Sequence, residues 1–310
     1  MWTVQPRWNS ASVLSEQEIE GFIIDGFVAV RQAVPADVAG ACADRVWSEL
    51  DSRGVRREDP STWTEPVVRL ACPEDGPFVE AGQGVSRPLW EACDQLLGPG
   101  RWWRRRGVGG SIPVRFPSDR DPGDTGWHLD GGYEDPADGG RRVTVRGLGG
   151  GLLALFLFSD VDQDSAPTRL RAGSHLDTAR VLAAAGERGL EWGEAARAAD
   201  RASAHREIVL ATGRAGDVFL CHQLMVHAAS WPHRGRVPRI VAQPLVALLG
   251  EYRLPGVQEV ARTPVEEAVL RAVEPLPGGG FAWLRAPGQA HRSGKPRGRW
   301  SLSTRVRWIG

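Results

Sequence analysis

The sequence has almost no lysine: of 38 basic side chains only Lys295 is one, and the rest are arginine. Such a skew follows from a GC-rich coding background, so most of these arginines need no special role. It brings no net charge, because 38 acidic residues balance the 38 basic ones, and that argues against a nucleic-acid partner. No apolar run approaches the ~20 residues that span a bilayer; residues 152–158 are only strand-sized, so no membrane partner is expected. Residues 1–10 hold Trp2, Gln5, Arg7 and Trp8 without an apolar stretch, so no signal peptide is expected and a cytoplasmic location is. The four cysteines, Cys42, Cys72, Cys93 and Cys221, form no CxxC pair and read as reduced core thiols. The signatures GxSxG, HExxH, the P-loop and GxGxxG are all missing, which weakens serine-hydrolase, zincin, nucleotide-triphosphate and dinucleotide readings.

What is present is a soluble globular composition, 42% hydrophobic and 25% charged. Ser15-Glu16-Gln17-Glu18 fits a capping box, and the helix it starts should stop at Gly26. A strand is expected over 27–30 and helices over 35–50 and 87–97. Strands are then expected over 112–116, 127–130, 141–146, 152–161, 168–171, 206–210, 217–222 and 239–248, with a helical insertion near 176–202. Helices first, then short strands with gaps too short for parallel crossovers, predict a protein that is mainly β with flanking helices, a sandwich or jelly roll. Residues 275–310 contain no acid but seven basic residues, behind a Gly278–Gly280 hinge.

Histidine is the scarce ionisable type, with seven copies. In His128-Leu129-Asp130 a strand would project imidazole and carboxylate to one face, roughly 6–7 Å apart at Cα, as two cis ligands on one metal. Alone, this tripeptide is a weak signal. A third ligand from another strand would complete a two-His-one-carboxylate face with open positions, as non-haem Fe(II) oxygenases require. His222 and His227 are both candidates; His222 also fits a core histidine at a strand end. Twelve residues after His227 comes Arg239, whose planar fork matches a carboxylate in a way lysine cannot.

Taken together these segments resemble the phytanoyl-CoA dioxygenase family of Fe(II)/2-oxoglutarate oxygenases. The resemblance runs from about Leu14 to Leu248. It rests on Leu14–Glu18 with Asp25–Val30, on Trp127–Asp130, on Asp160–Arg169 with Gly173-Ser174-His175, and on Gly216–His227 with Pro238-Arg239. It implies a double-stranded β-helix, that is, a cupin-like jelly roll, in a single oxygenase domain over 1–310. Its core would lie at about 14–250, with the insertion at about 176–202 and the basic extension at about 275–310. It assigns Fe(II) to His128, Asp130 and His227, and the distal carboxylate of 2-oxoglutarate to Arg239. The spacing of Arg239 is one residue longer than the family often has, which leaves Arg236 as a fallback. Ser111, Thr168 and Ser230 are further candidates for hydrogen bonds to 2-oxoglutarate, and His175 is not expected to be a ligand. The implied reaction uses O2, releases succinate and CO2, and hydroxylates an aliphatic C–H bond. Desaturation, epoxidation, cyclisation and epimerisation are alternatives. Asp130 occupies the position that related halogenases leave to Ala or Gly, so halogenation is not expected.

For the substrate, a small molecule is expected, carrier-bound or anionic, of the specialised-metabolite kind. The run Arg101–Arg106 fits an anionic or aromatic contact, and equally solvated arginines over a tryptophan core. Arg69 or Arg115 would suit a substrate carboxylate. Trp127 should point away from His128 into packing. The basic extension fits a lid, an acidic-carrier site, or an extra strand over 301–309. A cupin-like metalloenzyme without 2-oxoglutarate, and a non-catalytic binding protein on the same fold, are the competing functions; Arg239 argues against the first and the complete triad against the second.

Overall fold

In the computed structural model, which describes residues 13–84, 87–254 and 262–273, local chemistry sets the first helix. The Ser15 hydroxyl accepts from the Glu18 amide and the Glu18 carboxylate accepts from the Ser15 amide, which starts α1 (Glu16–Asp25). Gly26 ends it at φ 84°, where a Cβ would lie 2.4 Å from the His175 ring, so conformation and space both require glycine. Next come β1 (Phe27–Val30), α2 (Ala36–Asp51), β2 (Val67–Ala71), the single turn α3 (Pro77–Val79), α4 (Arg87–Leu97) and β3 (Ser111–Arg115). β4 (Tyr133–Glu134), β5 (Arg141–Val143), β6 (Leu152–Leu157) and β7 (Thr168–Arg171) precede α5 (Ser174–Ala184). β8 (Leu190–Glu191) leads into α6 (Trp192–Ala202). Then follow β9 (Ile208–Ala211), β10 (Val218–His222), β11 (His227–Ala228), β12 (Val241–Ala242), β13 (Leu245–Val246) and α7 (Pro264–Val273).

The named strand pairs are all antiparallel. One sheet runs β1-β10-β6-β12, with β13 also on β6, and a second runs β11-β7-β9. Their inner faces meet: Leu153, Leu155 and Leu157 of β6 and Phe219 and Cys221 of β10 share an apolar cluster with Leu170 of β7 and Ala211 of β9. The alternate β6 residues, Leu152, Ala154 and Phe156, join a larger cluster with Leu50 of α2, Leu96 of α4 and Val269 of α7. Side chains alternate along a strand, so β6 is buried on both faces and reads as a continuous apolar run. The fold is the expected one: mainly β with flanking helices, a double-stranded β-helix.

Several elements differ from expectation. Over 127–130 only His128 pairs, through one antiparallel bridge to His227; Gly131 and Gly132, at φ 100° and 106°, turn the chain out of the extended conformation. The stretch 239–248 yields only β12 and β13, separated by Pro244, which has no N–H for a ladder. The insertion is two helices, α5 and α6, divided by β8. β2, β4, β8 and α7 were not anticipated; β4 and β8 are two residues each, too short to show a period. The N-terminal segment read for a signal peptide lies outside the described residues. So does the basic extension 275–310, with its hinge and its strand at 301–309. Among the described residues no helix is long and apolar enough to cross a membrane. The four thiols are free and buried, and burial pushes that of Cys42 up to about 12.

Leu155 is fully buried between the two sheets. Leu155→Ala is expected to lower unfolding stability by about 2–5 kcal/mol in denaturant titrations; a loss under about 1 kcal/mol would contradict this packing.

Candidate metal centre

β11 lies in the second sheet, where His227 pairs with Leu170. On its other side the backbones of His128 and His227 exchange hydrogen bonds of 3.0 and 3.1 Å. Directly opposed residues present their side chains to one face, and the two rings stand 4.4 Å apart at their centroids. Nδ1 of His128 lies 2.9 Å from the Gly126 carbonyl, and Nδ1 of His227 lies 3.1 Å from the Met225 carbonyl. A carbonyl only accepts, so both Nδ1 atoms carry protons and both Nε2 atoms face the centre as metal-ligand positions. Asp130 Oδ2 is 3.3 Å from His227 Nε2, and ligand atoms of all three residues lie within 4.8 Å of one another. No other such His/Cys/Asp/Glu group occurs among the described residues.

Electrostatics fit a cation site. Burial raises the Asp130 carboxyl, but the hydrogen bond and charge of His227, with His128 and Arg141, bring it down to about 2. Burial works against a charged His227, yet Asp130 lifts its pKa above the ordinary histidine value. Burial and the neighbouring His227 lower that of His128. The Nε2 proton shared between His227 and Asp130 stands where a divalent ion would displace it.

The outer face of β7 braces the centre. Arg169 donates to the carbonyls of Thr125 and Ala229, at 2.7 and 2.8 Å, which ties together the segments flanking His128 and His227. Arg169 and Arg171 lie over the Trp127 ring, 4.6 and 4.1 Å from its centroid. Trp127 also packs against the larger apolar cluster, in keeping with its expected direction.

Arg239 enters from the first sheet. Its backbone pairs with Arg115 at the end of β3, through hydrogen bonds of 3.0 and 2.8 Å. Its side chain crosses the sandwich and donates to the Ala166 carbonyl at 2.8 Å and the Thr168 hydroxyl at 3.2 Å. It is 1% exposed, its Nε has no partner, and no carboxylate among the described residues lies within ion-pair distance. Arg115 is instead paired with Asp124 at 2.7 Å, and Asp124 also binds Arg69. Burial and the Arg115 charge push the Arg239 pKa down to about 9. A buried cation held only by neutral acceptors calls for an anion. Thr168 shares a face of β7 with Leu170, about 7 Å along the strand, and Leu170 is opposite His227. The Arg239 guanidinium and the imidazoles therefore face the same interior.

Of the remaining candidates, Ser230 donates to the Pro167 carbonyl at 2.6 Å, beside Thr168. Ser111 is exposed at the end of β3 away from Arg115, and the structure does not bring it to Arg239. Arg236 is exposed and does not replace Arg239. His222 is a core residue: its Nε2 is 3.3 Å from the Val265 carbonyl and its Nδ1 accepts from the Leu224 amide. His175 is likewise buried, 3.1 Å from the Ile23 carbonyl. Arg104 pairs with Asp94 and stacks over Trp90 and Trp102, so the 101–106 run follows its packing interpretation there. Arg69 and Arg115, read as substrate contacts, are engaged by Asp124. Asp124 and His233 were missed. Burial and Arg239 lower the His233 pKa to about 4, so at neutral pH it sits beside Arg239 uncharged.

A sequence model of the phytanoyl-CoA dioxygenase (PhyH) family matches residues 24–240. Among solved structures, the chain is similar to a protein of Salmonella typhimurium LT2 at 14% identity and TM-score 0.51, over 76% of this chain and 70% of that one. It is similar to HygX from Streptomyces hygroscopicus, solved with nickel and 2-oxoglutarate, at 17% identity and TM-score 0.49, over 77% and 90% of the two chains. EctD from S. alaskensis, solved with 2-oxoglutarate and 5-hydroxyectoine, matches at 17% identity and TM-score 0.46, over 78% of each chain. Likeness at these identities concerns the fold. Comparison with curated proteins finds no match.

In the metal-free protein, Asp130→Asn removes the charge that lifts the His227 pKa and leaves burial, the largest influence, opposed only by the hydrogen bond to the Met225 carbonyl. NMR titration of the imidazole is expected to show it falling below the ordinary histidine range. An unmoved titration would contradict the Asp130–His227 contact.

Proposed function

The chain belongs to the phytanoyl-CoA dioxygenase family, and on that premise we propose that it hydroxylates an aliphatic C–H bond of a small-molecule substrate. It is a 2-oxoglutarate-dependent non-haem iron enzyme. The observation that carries the site assignment is the buried Arg239 guanidinium, which has no acidic partner among the described residues and faces the same interior as the His128/Asp130/His227 cluster. We assign Fe(II) to those three residues and the distal carboxylate of 2-oxoglutarate to Arg239 and Thr168.

With O2, the bound iron and 2-oxoglutarate supply an oxidant able to break an unactivated C–H bond, with release of succinate and CO2. The protein supplies placement. Three ligands on one face of an ion leave its other positions to small molecules. The Gly126 and Met225 carbonyls fix the two imidazoles with Nε2 inward. Arg239 meets the dicarboxylate with an immobile fork, and Thr168 holds that fork in place. Leu170, opposite His227 and part of the inner apolar cluster, would keep water from the reacting centre. The Asp130 side chain is 33% exposed against 4% for His227, so substrate approaches from the carboxylate side.

The purified, Fe(II)-loaded protein is expected to couple 2-oxoglutarate turnover to a product heavier by one oxygen, and His128→Ala to abolish substrate-dependent succinate formation. Full activity of a metal-replete His128→Ala protein would remove the triad. Separately, 2-oxoglutarate at a hundredfold excess over its Kd should stabilise the metal-loaded parent by about 2.7 kcal/mol. Arg239→Met should fold and lose that gain in thermal melts; a retained gain would place the dicarboxylate elsewhere.

A further inference from the structure

Asp130 has a different kind of support from the two histidines. His128 and His227 are held by their own backbone pairing. Asp130 is followed by Gly131 and Gly132 at positive φ, and the hydrogen-bonding contact seen for its carboxylate is with His227 itself. Its direction must therefore come from the backbone on either side. Both flanking carbonyls are taken by side chains from outside the sandwich. Trp192 Nε1 donates to the Leu129 carbonyl at 3.0 Å, and Arg141 Nη2 donates to the Gly131 carbonyl at 2.8 Å.

A separate small sheet delivers these two donors. Its order is β4-β5-β8. β4 begins directly after Gly132, where a Cβ would lie 2.6 Å from the Arg142 carbonyl, so the chain leaving Asp130 runs tight against β5. β5 carries Arg141, and β8 ends where Trp192 begins α6. In the β5–β8 register Arg142 pairs with Glu191, which puts Arg141 and Trp192 on the next rung. There the guanidinium lies 5.2 Å from the Trp192 ring centroid. Arg142, its neighbour, pairs with Asp135 and Asp138. Arg141 makes no ion pair among the described residues, so its fork is committed to a carbonyl and a ring. The Glu191 carboxylate caps α6 by accepting from the Glu194 amide at 3.1 Å and fixes where Trp192 stands.

We propose that Arg141 and Trp192 are positioning residues of the metal centre: they grip the carbonyls of the two residues that flank Asp130, Gly131 and Leu129, and set the direction of its carboxylate. This rests on the assignment of Asp130 as a metal ligand. It also gives the helical insertion a role, since α6 reaches the metal loop through Trp192.

The test is anaerobic calorimetric titration of the full chain with Co(II) alone, alongside metal-free melts. Trp192→Phe keeps the ring and loses the donor; Arg141→Met keeps bulk and loses both donor and charge. Each is expected to weaken Co(II) binding about tenfold, the lower end for groups that orient a metal ligand, with the metal-free Tm little changed. Arg141→Lys, which keeps a donor, should recover much of the loss. The double variant should lose less than the product of the two single effects, because both act on one residue. Co(II) binding as tight as the parent's in both single variants would overturn the clamp. A loss that merely tracks a fall in Tm, with no recovery in Arg141→Lys, would overturn it too. A parent chain that binds no Co(II) would instead overturn the metal-ligand assignment itself.

Discussion

A guanidinium that crosses the interior without pairing with a carboxylate among the described residues is the constraint around which the proposed site is arranged. Arg239 leaves the first sheet, spans the sandwich and ends on the Ala166 carbonyl and the Thr168 hydroxyl of the second. Neutral acceptors do not discharge a buried cation, and the charge of Arg115 beside it has the same sign. Asp124 acts on Arg239 only at a distance; its Oδ2 binds Arg115 and Arg69, and it makes no ion pair with Arg239. An anion would complete this interior, and in the proposed site the register of β7 against β11 would direct it toward the imidazole of His227.

The three residues proposed as metal ligands are fixed in two ways. The histidines use the ladder: reciprocal backbone hydrogen bonds set the pair, and a carbonyl two residues back orients each ring. Asp130 stands beyond the ladder, where positive-φ glycines begin, and its backbone is held by Trp192 and Arg141. The rigid part of the centre belongs to the sandwich, and the part nearest solvent belongs to elements packed against it. Under the proposed function, that division places the approach for substrate beside Asp130, whose exposure differs so sharply from that of His227.

Much of the fold is legible where the signal is local. The Ser15–Glu18 capping box and Gly26 mark both ends of α1 within a few residues, and the apolar run of β6 announces a doubly buried strand. The clustering of His128, Asp130 and His227 is legible by residue type and order, but not by strand alternation between His128 and Asp130. Pairing with His227 and the turn at Gly131 bring them together instead. Asp124 was not legible because one of its arginines is 55 residues away. Trp192 reaches Leu129 across 63 residues, inside an insertion whose composition suggests only helix. Contacts of that range carry no period or motif in the chain; the folded register creates them.

The central claim is that the buried cation and the His-Asp-His cluster form one site for iron and 2-oxoglutarate. Anaerobic titration followed by visible absorption tests it most directly. A weak metal-to-ligand band that requires both Fe(II) and 2-oxoglutarate, and saturates at one equivalent of each, is the predicted result. No band at saturating concentrations of both, with the protein folded throughout, would contradict it.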